Sequence, residues 1–135
     1  MLGISEAAHQ EISPDTEFPL IHRLECVIAG EVRTVRIEAG TIASEAYGRD
    51  DPKEHFRCSF GLNPRHRGCL DYGKLRVSGV DDNGEVRIVE LAGHPFFVAT
   101  LFVPQLSSTA SAPHPLIVEF LRVAAGQRRV VTPLP

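Results

Sequence analysis

The chain has 135 residues, a formal net charge of −3 from 14 Lys and Arg against 17 Asp and Glu, and 43% hydrophobic residues. That length buries roughly 65–70% of the unfolded surface and is too short for two independent cores, so one domain over 1–135 is expected. The near-neutral balance supplies no concentrated basic face, which excludes nucleic acid as an expected partner. No apolar run approaches the ~20 residues that cross a bilayer. The opening MLGISEAAHQEISPD carries acids where a signal peptide carries Lys or Arg. No membrane partner and a cytoplasmic location are expected. Cys26, Cys58 and Cys69 form an odd set without tight spacing, which suits reduced thiols better than a disulfide framework.

In chain order, Leu20 to Glu38 alternates apolar and polar residues on both sides of Ala29-Gly30-Glu31, the pattern of a β-hairpin with one buried face. Thr41 caps a short helix over Ile42 to Tyr47 that Gly48 closes, with Glu45 an imperfect fit to the capping box. Glu54 to Phe60 reads as a strand with Phe56, Cys58 and Phe60 on one face and His55, Arg57 and Ser59 on the other. Asn63-Pro64 starts a helix over Arg65 to Tyr72, stopped by Gly73. Asp81-Asp82-Asn83-Gly84 joins Leu75–Val80 to Glu85–Leu91 as a hairpin. Phe96 to Val103 is an almost unbroken apolar run, expected as a central strand covered on both faces. Pro113 or Pro115 opens the last helix, His114 to Ala125, with Leu116, Ile117, Phe120, Leu121 and Ala124 on one side and Gly126 as its cap, and Arg129 to Thr132 reads as a short terminal strand. The sum is an α/β fold, a mixed sheet with flanking helices.

The stretch GKLRVSGVDDNGEVRIVELAGHPFFVATLFVPQLSSTASAPHPLIVEFLRVAAG, from Gly73 to Gly126, resembles the end of the glutamine amidotransferase domain of CTP synthases. The shared order is a hairpin with a D-G or N-G turn, V-E-L, H-P-x-F, a buried strand, a His-Pro-Glu step, and a final helix opened by H-P-L. The resemblance extends back through AGTIASEAYG and EHFRCSFGLNP to LGISEAAHQEISPD. Within that class I amidotransferase family the chain is similar to the CTP synthase C-terminal region-related (seleno)proteins, through CSFGLNP and FVATLFVPQ. The resemblance implies the C-terminal part of the domain and no cofactor. In competent members a Cys on a G-x-C-x-G elbow attacks the glutamine amide, a His handles the proton, and a Glu orients the His. Here the His-Pro-Glu step reads Val103-Pro104-Gln105, and no G-x-C-x-G occurs in the 135 residues. Met1-Leu2-Gly3-Ile4 stands where the family chain has already left the nucleophile helix. No glutaminase activity of its own is therefore expected.

The resemblance also aligns Arg57 with a family Arg beside the glutamine pocket and puts Ser59 in place of a second. A small amino-acid or amide ligand near Arg57, Asn63 and Gln105 is one expectation. Cys58, with His55 and Arg57 close in sequence, is the alternative nucleophile, although its alternation with Phe56 and Phe60 favours a buried small hydrophobe. Cys58, His66 and Cys69 lack the paired spacing and fourth partner of a zinc site, so no metal is expected. Arg65-His66-Arg67 reads as a solvated face, His94 and His114 as turn or capping residues, and Asp50-Asp51 and Asp81-Asp82 as loop acids. A half domain leaves the Phe96–Val103 run without cover. The expected partner is a second copy, as a homodimer, or a separately encoded amidotransferase half; an upstream start that restores the elbow is a third solution. Three functions follow: a degenerate amidotransferase-like scaffold or binding module; a repurposed enzyme for acyl or amide transfer or hydrolysis at a dimer-interface pocket, using Cys58 or a His; or half of a split glutaminase, against which Val103 counts.

Overall fold

Alternating apolar residues in three well-separated stretches build the sheet that organises the molecule. The computed structural model describes residues 4–24, 28–70 and 73–126. In chain order the elements are β1 (Ala8–His9), β2 (Pro19–Arg23), β3 (Val32–Ile37), α1 (Ile42–Tyr47), β4 (Lys53–His55), β5 (Phe60–Leu62), a 3-10 helix (Pro64–Leu70), β6 (Leu75–Asp81), β7 (Val86–Leu91), β8 (Val98–Thr100), a second 3-10 helix (Pro104–Ser107) and α2 (Pro115–Ala124). A five-stranded sheet has the order β4-β3-β6-β7-β8, and a three-stranded one the order β1-β2-β5. The larger is antiparallel throughout. The smaller mixes a parallel β1–β2 pair with an antiparallel β2–β5 pair. The fold is α/β, one antiparallel and one mixed sheet with flanking helices.

The main core joins the large sheet to the helices through Val35, Ile37, Ala43, Phe56, Ile88, Phe102 and Leu116. Fully burying a side chain such as Phe56 stabilises by about 2–3 kcal/mol. A smaller cluster of Leu62, Leu70 and Val86 joins it to the small sheet and first 3-10 helix. Gly79 is demanded by this packing, because a Cβ there would lie 2.8 Å from Ile88 Cγ1 and 3.0 Å from Val35 Cγ1.

Local chemistry fixes several ends. Thr41 accepts from Ser44 N at 3.0 Å and Gly48 closes α1 in the left-handed region at φ 63°. Ser44, whose hydroxyl accepts from Thr41 N, completes the capping box in place of Glu45. The β6–β7 hairpin forms as expected. Asp81 Oδ1 accepts from Asn83 N at 3.0 Å and Glu85 N at 3.1 Å, holding the turn.

Other expectations are overturned. The Leu20–Glu38 hairpin does not form: β2 pairs with β5 while β3 pairs with β4 and β6, in a different sheet. Gly30 does turn the chain, at φ 87°, but its N–H donates to Phe56 O. The strand expected over Glu54–Phe60 is split between the two sheets, with Phe56–Ser59 passing from one to the other. Alternation reports which face is buried, not which sheet buries it. The Asn63 helix is 3-10 rather than α, over Pro64–Leu70; Tyr72 lies outside the described residues, as do Cys26 and the strand expected at Arg129–Thr132. The Phe96–Val103 run yields a three-residue strand at the sheet edge, not a central one. On α2, Leu116 and Glu119 are buried, while Phe120 and Leu121 are exposed.

Candidate functional site

Three segments converge at the β4 end of the large sheet. Bonds from Val35 N to Pro52 O and Phe56 N to Glu31 O turn the even-numbered residues of β4 toward β3, leaving the peptide groups of Lys53 and His55 outward. His55 O accepts from Val103 N at 3.1 Å, so the Val103-Pro104-Gln105 step lies directly against β4. Pro104 then opens the 3-10 helix, and Gln105 is exposed. Beyond this step lies a groove of about 400 Å³ between β8, the 3-10 helix and α2. Its walls include Phe96, Val98, Phe102, Leu116, Ile117 and Phe120, and none of its lining residues titrates. Its polar side chains are Thr100, whose hydroxyl donates to Phe102 O, and Gln105.

Behind the step is a buried polar cluster. Tyr47 Oη donates to Glu54 Oε1 at 2.5 Å, and His114 Nε2 lies 3.1 Å from the same oxygen. His114 Nδ1 accepts from Leu116 N, capping α2, which leaves the proton on Nε2 to be donated to Glu54. Both Glu54 and His114 are at most 3% exposed. Burial, then the hydrogen bond to Glu54, pushes the Tyr47 hydroxyl far above its ordinary pKa. The second carboxylate oxygen, Glu54 Oε2, is buried with no protein partner among the described residues.

The residues singled out in the sequence are scattered around this centre. Arg57 and His55 are exposed, and Cys58 is half-buried with a free thiol. Asn63 has its amide occupied, donating to Pro19 O and accepting from Arg65 N at 3.0 and 3.1 Å. Gln105 adjoins the groove. No hydrogen bond or ion pair joins Arg57, Asn63 and Gln105 to one another among the described residues. His66 stacks on Phe18 at 3.9 Å between ring centres, and Arg67 donates to Gly84 O. No group of three or more His, Cys, Asp or Glu among the described residues is placed to hold a metal. His94 is a turn residue, its Nδ1 accepting from Phe96 N.

Sequence reading missed the buried acids Glu54 and Glu90 and took Asp81, which ends β6 and is fully buried, for a loop acid. Glu90 is fully buried, accepts from Ile42 N and Ala43 N at the start of α1, and pairs with Arg76. Asp81 pairs with Arg87 at 2.8 Å, both 2% exposed. A signal did exist: Glu54 is in phase with Phe56, and Glu90 with Val86 and Ile88, so each glutamate sits on the buried side of its alternation.

Over 134 residues the chain is 35% identical to a CTP synthase of Saccharolobus solfataricus, covering 93% of this chain and 25% of that protein. A CTP synthase of Methanothermobacter thermautotrophicus is 35% identical over 137 residues, 94% of this chain and 26% of its own. The chain thus spans about a quarter of the length of the curated relatives it matches. Among solved structures, the glutaminase domain of the Trypanosoma brucei enzyme with bound acivicin superposes with a TM-score of 0.88 at 23% identity, over 98% of this chain and 55% of that one. No family model matches the chain.

Proposed function

We propose that the chain, similar over nearly its whole length to about a quarter of CTP synthases, is a single degenerate glutaminase-like unit, a scaffold or binding module that does not hydrolyse glutamine by itself. The observation that carries this reading is the groove at Val103-Pro104-Gln105, whose lining contains no acid or base. Glutaminase chemistry needs an imidazole to take the thiol proton and pass one to departing ammonia, and a carboxylate to hold that imidazole in its charged form. Valine offers no proton site, and a glutamine amide cannot balance an imidazolium. His114 does not replace the missing imidazole, because both ring nitrogens are engaged, one with Leu116 N and one with Glu54.

A small amino-acid or amide ligand would use Gln105 and Arg57, the two exposed members of the proposed set; Asn63 is committed to its own loop. The partner is a second copy, ahead of a separately encoded amidotransferase half. No helix among the described residues is long and apolar enough to cross a membrane. A reducing, cytoplasmic setting suits the free thiols of Cys58 and Cys69. The alternative, a repurposed enzyme using Cys58 or His55, has less support, since no imidazole or carboxylate is hydrogen-bonded to Cys58 among the described residues.

The test is ammonia release from glutamine by the purified chain. The expected result is release at the buffer rate. Turnover that Cys58→Ser or His55→Ala abolishes would replace this reading with the enzymatic one.

A further inference from the structure

Among the described residues β8 ends the large sheet, with no strand on its outer side. Leu101 N donates to Arg87 O at 2.9 Å and Leu91 N to Phe97 O at 3.2 Å, so odd-numbered residues face β7. The N–H and C=O groups of Val98 and Thr100 therefore turn outward. Soluble proteins blunt such an edge with charge, proline or a bulge, yet Phe96 to Val103 contains neither charge nor proline.

The layers on both sides leave space beside this strand. Val98 and Phe102 line the 400 Å³ groove under α2, while Ala99 and Leu101 line an apolar cavity of about 210 Å³ walled by Leu20, Leu62 and Leu70. Vacancies on both faces of one edge are where the alternating side chains of a further strand would go. The half-exposed ring of Phe120 also lines the groove.

We propose that this edge pairs with the same edge of a second copy, β8 antiparallel to β8, about a two-fold axis through Ala99. The register follows from the outward groups: Val98 of each copy stands opposite Thr100 of the other, and the two pairs close four ladder hydrogen bonds. At the axis the two Ala99 residues form the close, non-hydrogen-bonded pair, with Cα atoms about 4.5 Å apart. Ala99 is exposed and carries the smallest chiral side chain, so the two sheets can meet there. A self-complementary contact sets like against like, and an uncharged strand is what such a contact tolerates. The inference deepens the module reading by naming its self-association surface, and its test is blind to glutamine chemistry.

The experiment is sedimentation of the 135-residue chain between about 1 and 100 µM. A two-chain species is expected. Ala99→Lys and Ala99→Glu each raise the dissociation constant at least about tenfold, and an equimolar mixture of the two recovers the pair. Thr100→Pro, which removes an outward N–H and leaves the β7 ladder intact, weakens it likewise. Far-ultraviolet circular dichroism confirms that each variant is folded. A one-chain mass throughout, a pair indifferent to all three variants, or charge variants that dissociate and do not recover on mixing would each overturn the proposal. So would a chain that stays single until an added amidotransferase half binds it.

Discussion

The two edges of the large sheet solve the same problem in opposite ways. At β4 the outward carbonyl of His55 takes Val103 N, and behind it Glu54 gathers Tyr47 and His114. That edge is closed from within the chain by polar groups brought from residues 47, 103 and 114. At β8 the outward groups of Val98 and Thr100 face outward beside carbon-lined hollows. The difference separates the edge that the described residues close for themselves from the edge that they leave unpaired. The backbone N–H of Val103 makes the closing contact at the β4 edge, so that contact does not depend on which side chain stands there.

Substitutions at the closed edge break it with the largest effects. Glu54→Ala strips the partner from a buried hydroxyl and a buried imidazole, and should lower unfolding free energy by about 3 kcal/mol in urea titration. His114→Ala loses both the α2 cap and the Glu54 contact, about 2 kcal/mol, of which His114→Asn should restore about 1 through the cap alone. Tyr47→Phe removes one hydrogen bond, about 1 kcal/mol at neutral pH. It also changes the alkaline limb. Because the folded hydroxyl titrates above its ordinary value, the unfolded chain loses that proton first, and folding weakens as pH rises past about 10. Relative to Tyr47→Phe, the parent chain should lose up to about 1.4 kcal/mol per pH unit there. The smallest effect sharpens the contrast from the open side: Phe120→Asp, at an exposed position, should shift stability by less than about 0.5 kcal/mol while weakening self-association.

What was legible in the sequence was local chemistry. Thr41 and Gly48 bound α1, Asn83-Gly84 turned the hairpin, and His114-Pro115 opened α2, because each of these depends on neighbours within a few residues. Sheet membership was not legible. Leu20–Glu38 alternates as a hairpin should, but Leu24 N bonds Ser59 O instead of turning back, so β2 joins β5. Phe96 to Val103 is apolar on both faces and therefore reads as central, yet a strand with vacancies on both sides has the same composition as one with neighbours. At the candidate site, the absence of titratable side chains at Val103 and Gln105 could be read directly from the sequence. The Tyr47–Glu54–His114 cluster could not, since it joins three elements far apart in the chain and its only trace is a glutamate in phase with phenylalanine.

The central claim is that one sheet edge is closed by other described residues of the chain and the other by association with a second copy. Amide hydrogen exchange at Val98 and Thr100, followed as protein concentration rises from about 5 to 500 µM, tests it most directly. Protection at those two amides should grow with concentration, while that at Val103, bonded to His55 O, should stay constant. Exchange at Val98 and Thr100 that is independent of concentration would contradict the account.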